Sequence, residues 1–158
     1  MIFFYGLENI FQLLLAVVLG GLVGMEREYR RKEAGLRTYA LVSLGAALFT
    51  IISFEVFNSA NFLYSKAGIA FDPARIIGQI VLGIGFLGAG LIVYRQFHVE
   101  GLTTAAGLWV VAAIGTAIGA KLYSIAVFVA FLTILILAGL RIIEEKVFGK
   151  EMEDESKR

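Results

Sequence analysis

Five apolar runs, each read as a membrane crossing, leave this chain of 158 residues few ways to fold. They extend from Ile10 to Met25, Leu36 to Phe54, Ala74 to Tyr94, Thr103 to Ala120 and Leu122 to Leu140. A backbone in hydrocarbon must satisfy its hydrogen bonds internally, either along a helix or around a closed barrel. A barrel needs apolar and polar residues in alternation, and these runs are apolar throughout. The first and fourth runs are short for a hydrocarbon core of about 30 Å, so flanking residues must extend them. Composition agrees: 59% of residues are hydrophobic and 17% charged, more apolar surface than a soluble domain of this length buries. The expected fold class is all-α membrane, a polytopic bundle of five transmembrane helices over residues 1–143, with a charged tail over 144–158.

The distribution of Lys and Arg orients the bundle. Five lie in the first connection (Arg27, Arg30, Arg31, Lys32, Arg37), one in the third (Arg95) and five after the last run. The other side receives only Lys66, Arg75 and Lys121. The positive-inside rule then places the N-terminus outside and the C-terminus in the cytoplasm. The N-terminus shows neither a basic n-region nor a small-residue cleavage site, so the first run is expected to be retained. Beyond Leu140 a helix could continue through Arg141, Ile143, Glu144 and Val147, and the charges from Glu151 onward read as a solvated tail. The segment from Glu55 to Phe71, with Phe57, Phe62 and Tyr64, reads as an interfacial connection. The net charge of +1 makes no case for nucleic acid, and the absence of cysteine excludes disulfides and thiolate metal sites.

The third run is unusual. It holds five glycines, Gly78, Gly83, Gly85, Gly88 and Gly90, although each costs a helix about 1 kcal/mol relative to alanine. On a 3.6-residue helix Asp72, Arg75, Gln79, Gly83, Phe86 and Gly90 fall along one stripe, with Gly78 and Gly85 on a second. This pattern predicts a central, protein-facing helix. Small-residue pairs recur at Gly20 with Gly24 and at Gly115 with Gly119, spacings that let helix backbones approach. Gly85→Leu is accordingly expected to impair folding or assembly far more than Gly6→Leu.

Polar candidates gather at the ends of the runs. Glu26, Arg27 and Glu28 close the first, Arg37 and Thr38 open the second, and Gly101, Leu102, Thr103 and Thr104 open the fourth, all on the cytoplasmic side. Asp72, Arg75 and Gln79 open the third from the outer side. Asp72 before Pro73 has the form of an N-cap followed by proline at the first helical position. Asp72 and Arg75 are spaced to pair along the helix, and Glu26 and Arg37 are candidates to meet across the first hairpin. The match of Gly83-x-Gly85-x-x-Gly88 to a dinucleotide fingerprint fails, because that motif needs a preceding strand and a water-facing phosphate. His98 is the single histidine and cannot form a histidine metal site alone. Trp109 is expected to pack. No nucleophile–base set can be assembled, so an enzyme and a bound cofactor are not expected. The metal question stays open.

Several blocks together resemble the MgtC/SapB family of bacterial inner-membrane proteins: Gly24-Met25-Glu26-Arg27-Glu28, Ala34-Gly35-Leu36-Arg37-Thr38, Leu41-Val42-Ser43-Leu44-Gly45-Ala46-Ala47, Asp72-Pro73-Ala74-Arg75-Ile76, Gly83 to Gly90, and Gly101-Leu102-Thr103-Thr104-Ala105-Ala106. The resemblance implies a polytopic membrane domain linked to growth in low magnesium and survival in host macrophages. For the virulence-type members it implies regulation, including restraint of the F-type ATP synthase. Those members carry a soluble C-terminal domain resembling an ACT fold, whereas this chain stops about 18 residues after the last run and looks like the shorter SapB-like form. The expected function is a non-enzymatic membrane protein that modulates another membrane complex, with the lipid bilayer and a homo-oligomer as further expected partners. The alternative is an oligomeric Mg²⁺ transporter or channel using Asp72 and Glu26, since Mg²⁺ prefers oxygen ligands.

Overall fold

The computed structural model describes residues 2–64, 72–95 and 98–140. These residues form five helices long and apolar enough to cross a membrane. Helices α1 (Ile2–Tyr29) and α2 (Leu36–Tyr64) form the first hairpin, and α3 (Pro73–Leu91) follows. A two-stranded antiparallel ribbon of β1 (Val93–Arg95) and β2 (His98–Glu100) leads into α4 (Leu102–Gly119). The last helix, α5 (Tyr123–Leu135), ends in a π-helical turn, Ile136–Leu140. The tail boundary expected at residue 143, the helical continuation beyond Leu140 and Lys66 lie outside the described residues.

Local chemistry explains most boundaries. Asp72 caps α3 by accepting the Ala74 amide at 2.9 Å, with Pro73 at the first helical position. Its carboxylate is used there, and among the described residues no ion pair joins it to Arg75, contrary to the expected pairing. Helices α1 and α4 end in the same two-bond motif, in which a residue in the left-handed region turns the chain sharply. At α1, Arg31 (φ 53°) donates to the Glu28 carbonyl and Lys32 to that of Arg27, both at 3.0 Å. At α4, Lys121 (φ 64°) donates to Ile118 at 2.9 Å and Leu122 to Ala117 at 2.8 Å. Two boundaries differ from expectation. Helix α2 continues to Tyr64, because no glycine or proline interrupts residues 46–64, so Glu55–Tyr64 is helix rather than connection. Helix α3 stops at Leu91, and Tyr94 lies in β1, where Val93 and Tyr94 are good strand formers.

Helix α2 lies between α1 and α4, and its face bearing Tyr39, Ser43, Ala47 and Thr50 is the spine of the bundle. A methyl group added at Gly20 would sit 2.6 Å from the Ser43 Cβ, and one at Gly24 2.7 Å from the Tyr39 Cβ. On the other side, one at Gly119 would sit 2.7 Å from the Ala47 carbonyl oxygen, while Gly115 and Gly107 would run into the Ser43 carbonyl and the Tyr39 hydroxyl. The two small-residue pairs Gly20/Gly24 and Gly115/Gly119 therefore mark backbone-close interfaces, where dispersion rather than water exclusion holds membrane helices together. Ala16, Leu19 and Val23 of α1, Leu108, Val111, Ile114 and Ile118 of α4, and Ala126 and Ala130 of α5 complete the core. Gln12 of α1 is fully buried and donates to the terminal carbonyls of α4, Ile118 at 2.6 Å and Gly119 at 3.2 Å; Ile118 also accepts the Lys121 amide.

The third helix is not central. Half of the α4 span is buried, against 11% for α3. Helix α4 packs against all four other spans, whereas α3 packs mainly against α4 and α2. Of the α3 glycines, Gly88 meets Ala105 of α4 at 3.6 Å, while among the described residues nothing lies within 4 Å of a methyl added at Gly78, Gly83, Gly85 or Gly90. Gly6 is equally open, so the folded chain gives no reason for Gly85→Leu to damage the fold more than Gly6→Leu. The stripe misled because glycine periodicity records close approach without naming the partner. Trp109 is also half exposed on the outside of α4 rather than packed inside.

Candidate functional site

Four segments converge on one polar cluster at the arginine-rich end. The last turns of α1 supply Glu26, Arg27 and Arg30, the first turn of α2 supplies Tyr39, the α1–α2 connection supplies Glu33, and the start of α4 supplies Thr104. Arg27 is only 4% exposed. Its Nη2 donates to the Thr104 hydroxyl at 3.1 Å, and its Nη1 to Glu26 Oε2 at 3.4 Å. The Thr104 hydroxyl, having one proton, donates it to Glu33 Oε2 at 3.0 Å. The Tyr39 hydroxyl donates to the Thr104 carbonyl at 3.0 Å. Thus one threonine ties α1, α2, α4 and a connecting loop together. Glu26 also faces Arg30 Nε at 3.4 Å, and Glu28 accepts the Leu36 amide at 3.1 Å, bracing the start of α2.

The network opens into a cavity of about 850 Å³, whose lining includes Arg27, Arg31, Lys32, Glu33, Thr103 and Thr104. Its formal charges cancel, since Glu26 and Glu100 join Glu33 against the three cations. The Glu33 carboxyl is held below its ordinary range, first by a hydrogen bond from its own backbone, then by the Thr104 hydroxyl and the charges of Lys32 and Arg27, with burial opposing. Gly101, in the left-handed region at φ 86°, brings the ribbon into α4, and no side chain caps the helix there. A methyl at Gly101 would run into the Leu91 carbonyl, which fixes glycine at this turn.

The expected residues do not all come together. Glu26, Arg27 and Thr104 come together, and Thr103 lines the same cavity. Arg37 is exposed and does not reach Glu26, because helical geometry turns it away from the α1–α2 seam that Tyr39 occupies. Thr38 lines an apolar groove of about 770 Å³ between α2 and α3, along with Gly45, Ala46, Gln79 and Gly83. Asp72, Arg75 and Gln79 belong to the far half of the bundle and are exposed. Glu33, Tyr39 and Gln12 were not anticipated. Glu33 sits in a charge run that reads as solvated loop, and the other two carry no sequence signal beyond a polar group in an apolar run. Among the described residues no three of His, Cys, Asp and Glu cluster to hold a metal.

The MgtC family profile matches residues 13–146. Among relatives, the chain is 45% identical over 130 residues to the "Putative magnesium transporter YhiD" of Escherichia coli strain K12, covering 82% of this chain and 59% of that one. It is 46% identical over 123 residues to protein MgtC of Brucella abortus strain 2308, covering 78% and 46%. It is 36% identical over 139 residues to protein SrpB of Synechococcus elongatus, covering 83% and 74%. The chain thus spans about half the length of the first two. No solved structure matches.

Proposed function

The chain belongs to the MgtC family, and on that premise we propose that it is a bacterial inner-membrane protein that supports adaptation to low magnesium by binding another membrane protein. Its arginine-rich end faces the cytoplasm. The observation that carries this reading is the pair of open glycine stripes on α3, one through Gly78 and Gly85 and one through Gly83 and Gly90. Gly78, Gly83, Gly85 and Gly90 meet nothing within 4 Å, yet each lowers helix propensity by about 1 kcal/mol relative to alanine. A transmembrane helix from the partner would gain close backbone contact there. By family resemblance the F-type ATP synthase is the kind of complex that supplies such a helix, and a second copy of this chain is the competing occupant.

Ion transport is the second reading, favoured by the printed name of the E. coli relative. Its candidate carboxylates are separated: Glu26 is engaged with Arg27 and Arg30, while Asp72 caps α3 at the far end. Purified protein in liposomes loaded with a Mg²⁺ indicator separates the two readings. Regulation predicts no flux above empty liposomes. Flux abolished by Asp72→Asn or Glu26→Gln would establish transport instead.

A further inference from the structure

We propose that the cavity at the arginine-rich end binds a phosphate group, presented by a lipid head group or as the free ion. Two independent features point to it. The first is α4, an 18-residue helix that starts at the cavity with no side-chain cap. Its first amides have no intrahelical partner, and the helix dipole makes their end favourable for an anion. The second is Arg27, a lining residue that is 4% exposed and whose Nε is buried without a hydrogen-bond partner. A guanidinium so enclosed, with one donor unused, is an anion-recognising group whose hydrogen bonds are incomplete. Arg31 and Lys32, both exposed, add two cations to the lining, and the Thr103 hydroxyl adds a neutral donor.

The carboxylates in the same cavity set the competition. Glu26 is engaged with Arg27 and Arg30. Glu33 accepts the Thr104 hydroxyl proton at 3.0 Å from an exposed loop position, so it stands where an arriving phosphate oxygen would take that proton. Glu33 is thus an internal anion that a phosphate displaces. Glu100 lies on the exposed ribbon and opposes binding by charge alone. This inference stands whether or not the α3 face has a partner.

The test uses the full chain in phospholipid-free neutral detergent, with two probes, inorganic phosphate and phosphatidylglycerol. Binding is read from the shift in unfolding temperature and from native mass spectrometry. Three variants are chosen to spare the packed core: Arg31→Gly, whose left-handed backbone suits glycine, Lys32→Ser on the surface, and Glu33→Gln at an exposed position. Loss of one cation contact should weaken binding about tenfold, the equivalent of one charge-assisted hydrogen bond, and Glu33→Gln should strengthen it. Saturable stabilisation by inorganic phosphate with that variant pattern assigns the site to the free ion. Retention of phosphatidylglycerol alone, with the same pattern, assigns it to a head group. Binding of neither probe, or binding indifferent to all three variants, overturns the proposal.

Discussion

Thr104 both accepts from Arg27 and donates to Glu33, so Thr104→Val leaves two charged groups short of a partner at once. Glu33 is exposed and can turn to water, so the cost falls on buried Arg27 and is that of one lost hydrogen bond to a charged group, about 1.5–3 kcal/mol, to be read as a loss in thermal unfolding in detergent. Tyr39→Phe removes one neutral donor and should cost about 0.5–1.5 kcal/mol, because the Thr104 carbonyl keeps its bond within α4. The pH dependence has a defined sign. Glu33 has a native pKa below its ordinary 4.5, so its contribution is fully present above that value and disappears as pH falls through the lowered native one. The stability difference between the parent and Glu33→Gln should therefore close between neutral pH and pH values below 4.5. Arg27 and Thr104 were legible as candidates because charges and hydroxyls at the ends of apolar runs stand out. Glu33 was not, since a charge in a polar loop looks the same whether or not a buried threonine reaches it.

Individual helices were nearly all legible, because runs of apolar residues in lipid have no alternative to internal hydrogen bonding. Their ends were less so. The continuation of α2 to Tyr64 follows from the lack of any helix breaker, and the β1–β2 ribbon from residues too few to show a period. Glycine spacing predicted close approach correctly at Gly20, Gly24, Gly115 and Gly119, and misassigned it on α3. The two kinds of glycine should respond oppositely to a methyl group. Gly115→Ala drives a carbon into the Ser43 backbone and should destabilise the purified bundle by at least the 1–3 kcal/mol of an overpacked core. Gly83→Ala enters open space and should be neutral or add up to about 1 kcal/mol from helix propensity. Equal losses at both positions would mean that the α3 face is covered within the folded chain itself.

At the scale of the whole molecule, α4 is the axis and α3 the outlying helix. The two halves of the polar inventory serve different ends: Gln12 and the Glu8–Lys121 ion pair at 2.8 Å brace the far end, while the Arg27 cluster organises the arginine-rich end. What could not be read from the residues was which helix would be buried, since apolar composition does not distinguish a lipid neighbour from a protein neighbour. The central claim is that the open α3 stripe through Gly78 and Gly85 serves a partner and not the fold. Gly85→Leu tests it in one experiment with two readings, the unfolding temperature of the purified variant and low-magnesium growth of cells that rely on it. The account predicts an unchanged unfolding temperature and lost growth. Normal growth with leucine at that position, or a variant too unstable to purify, would contradict it.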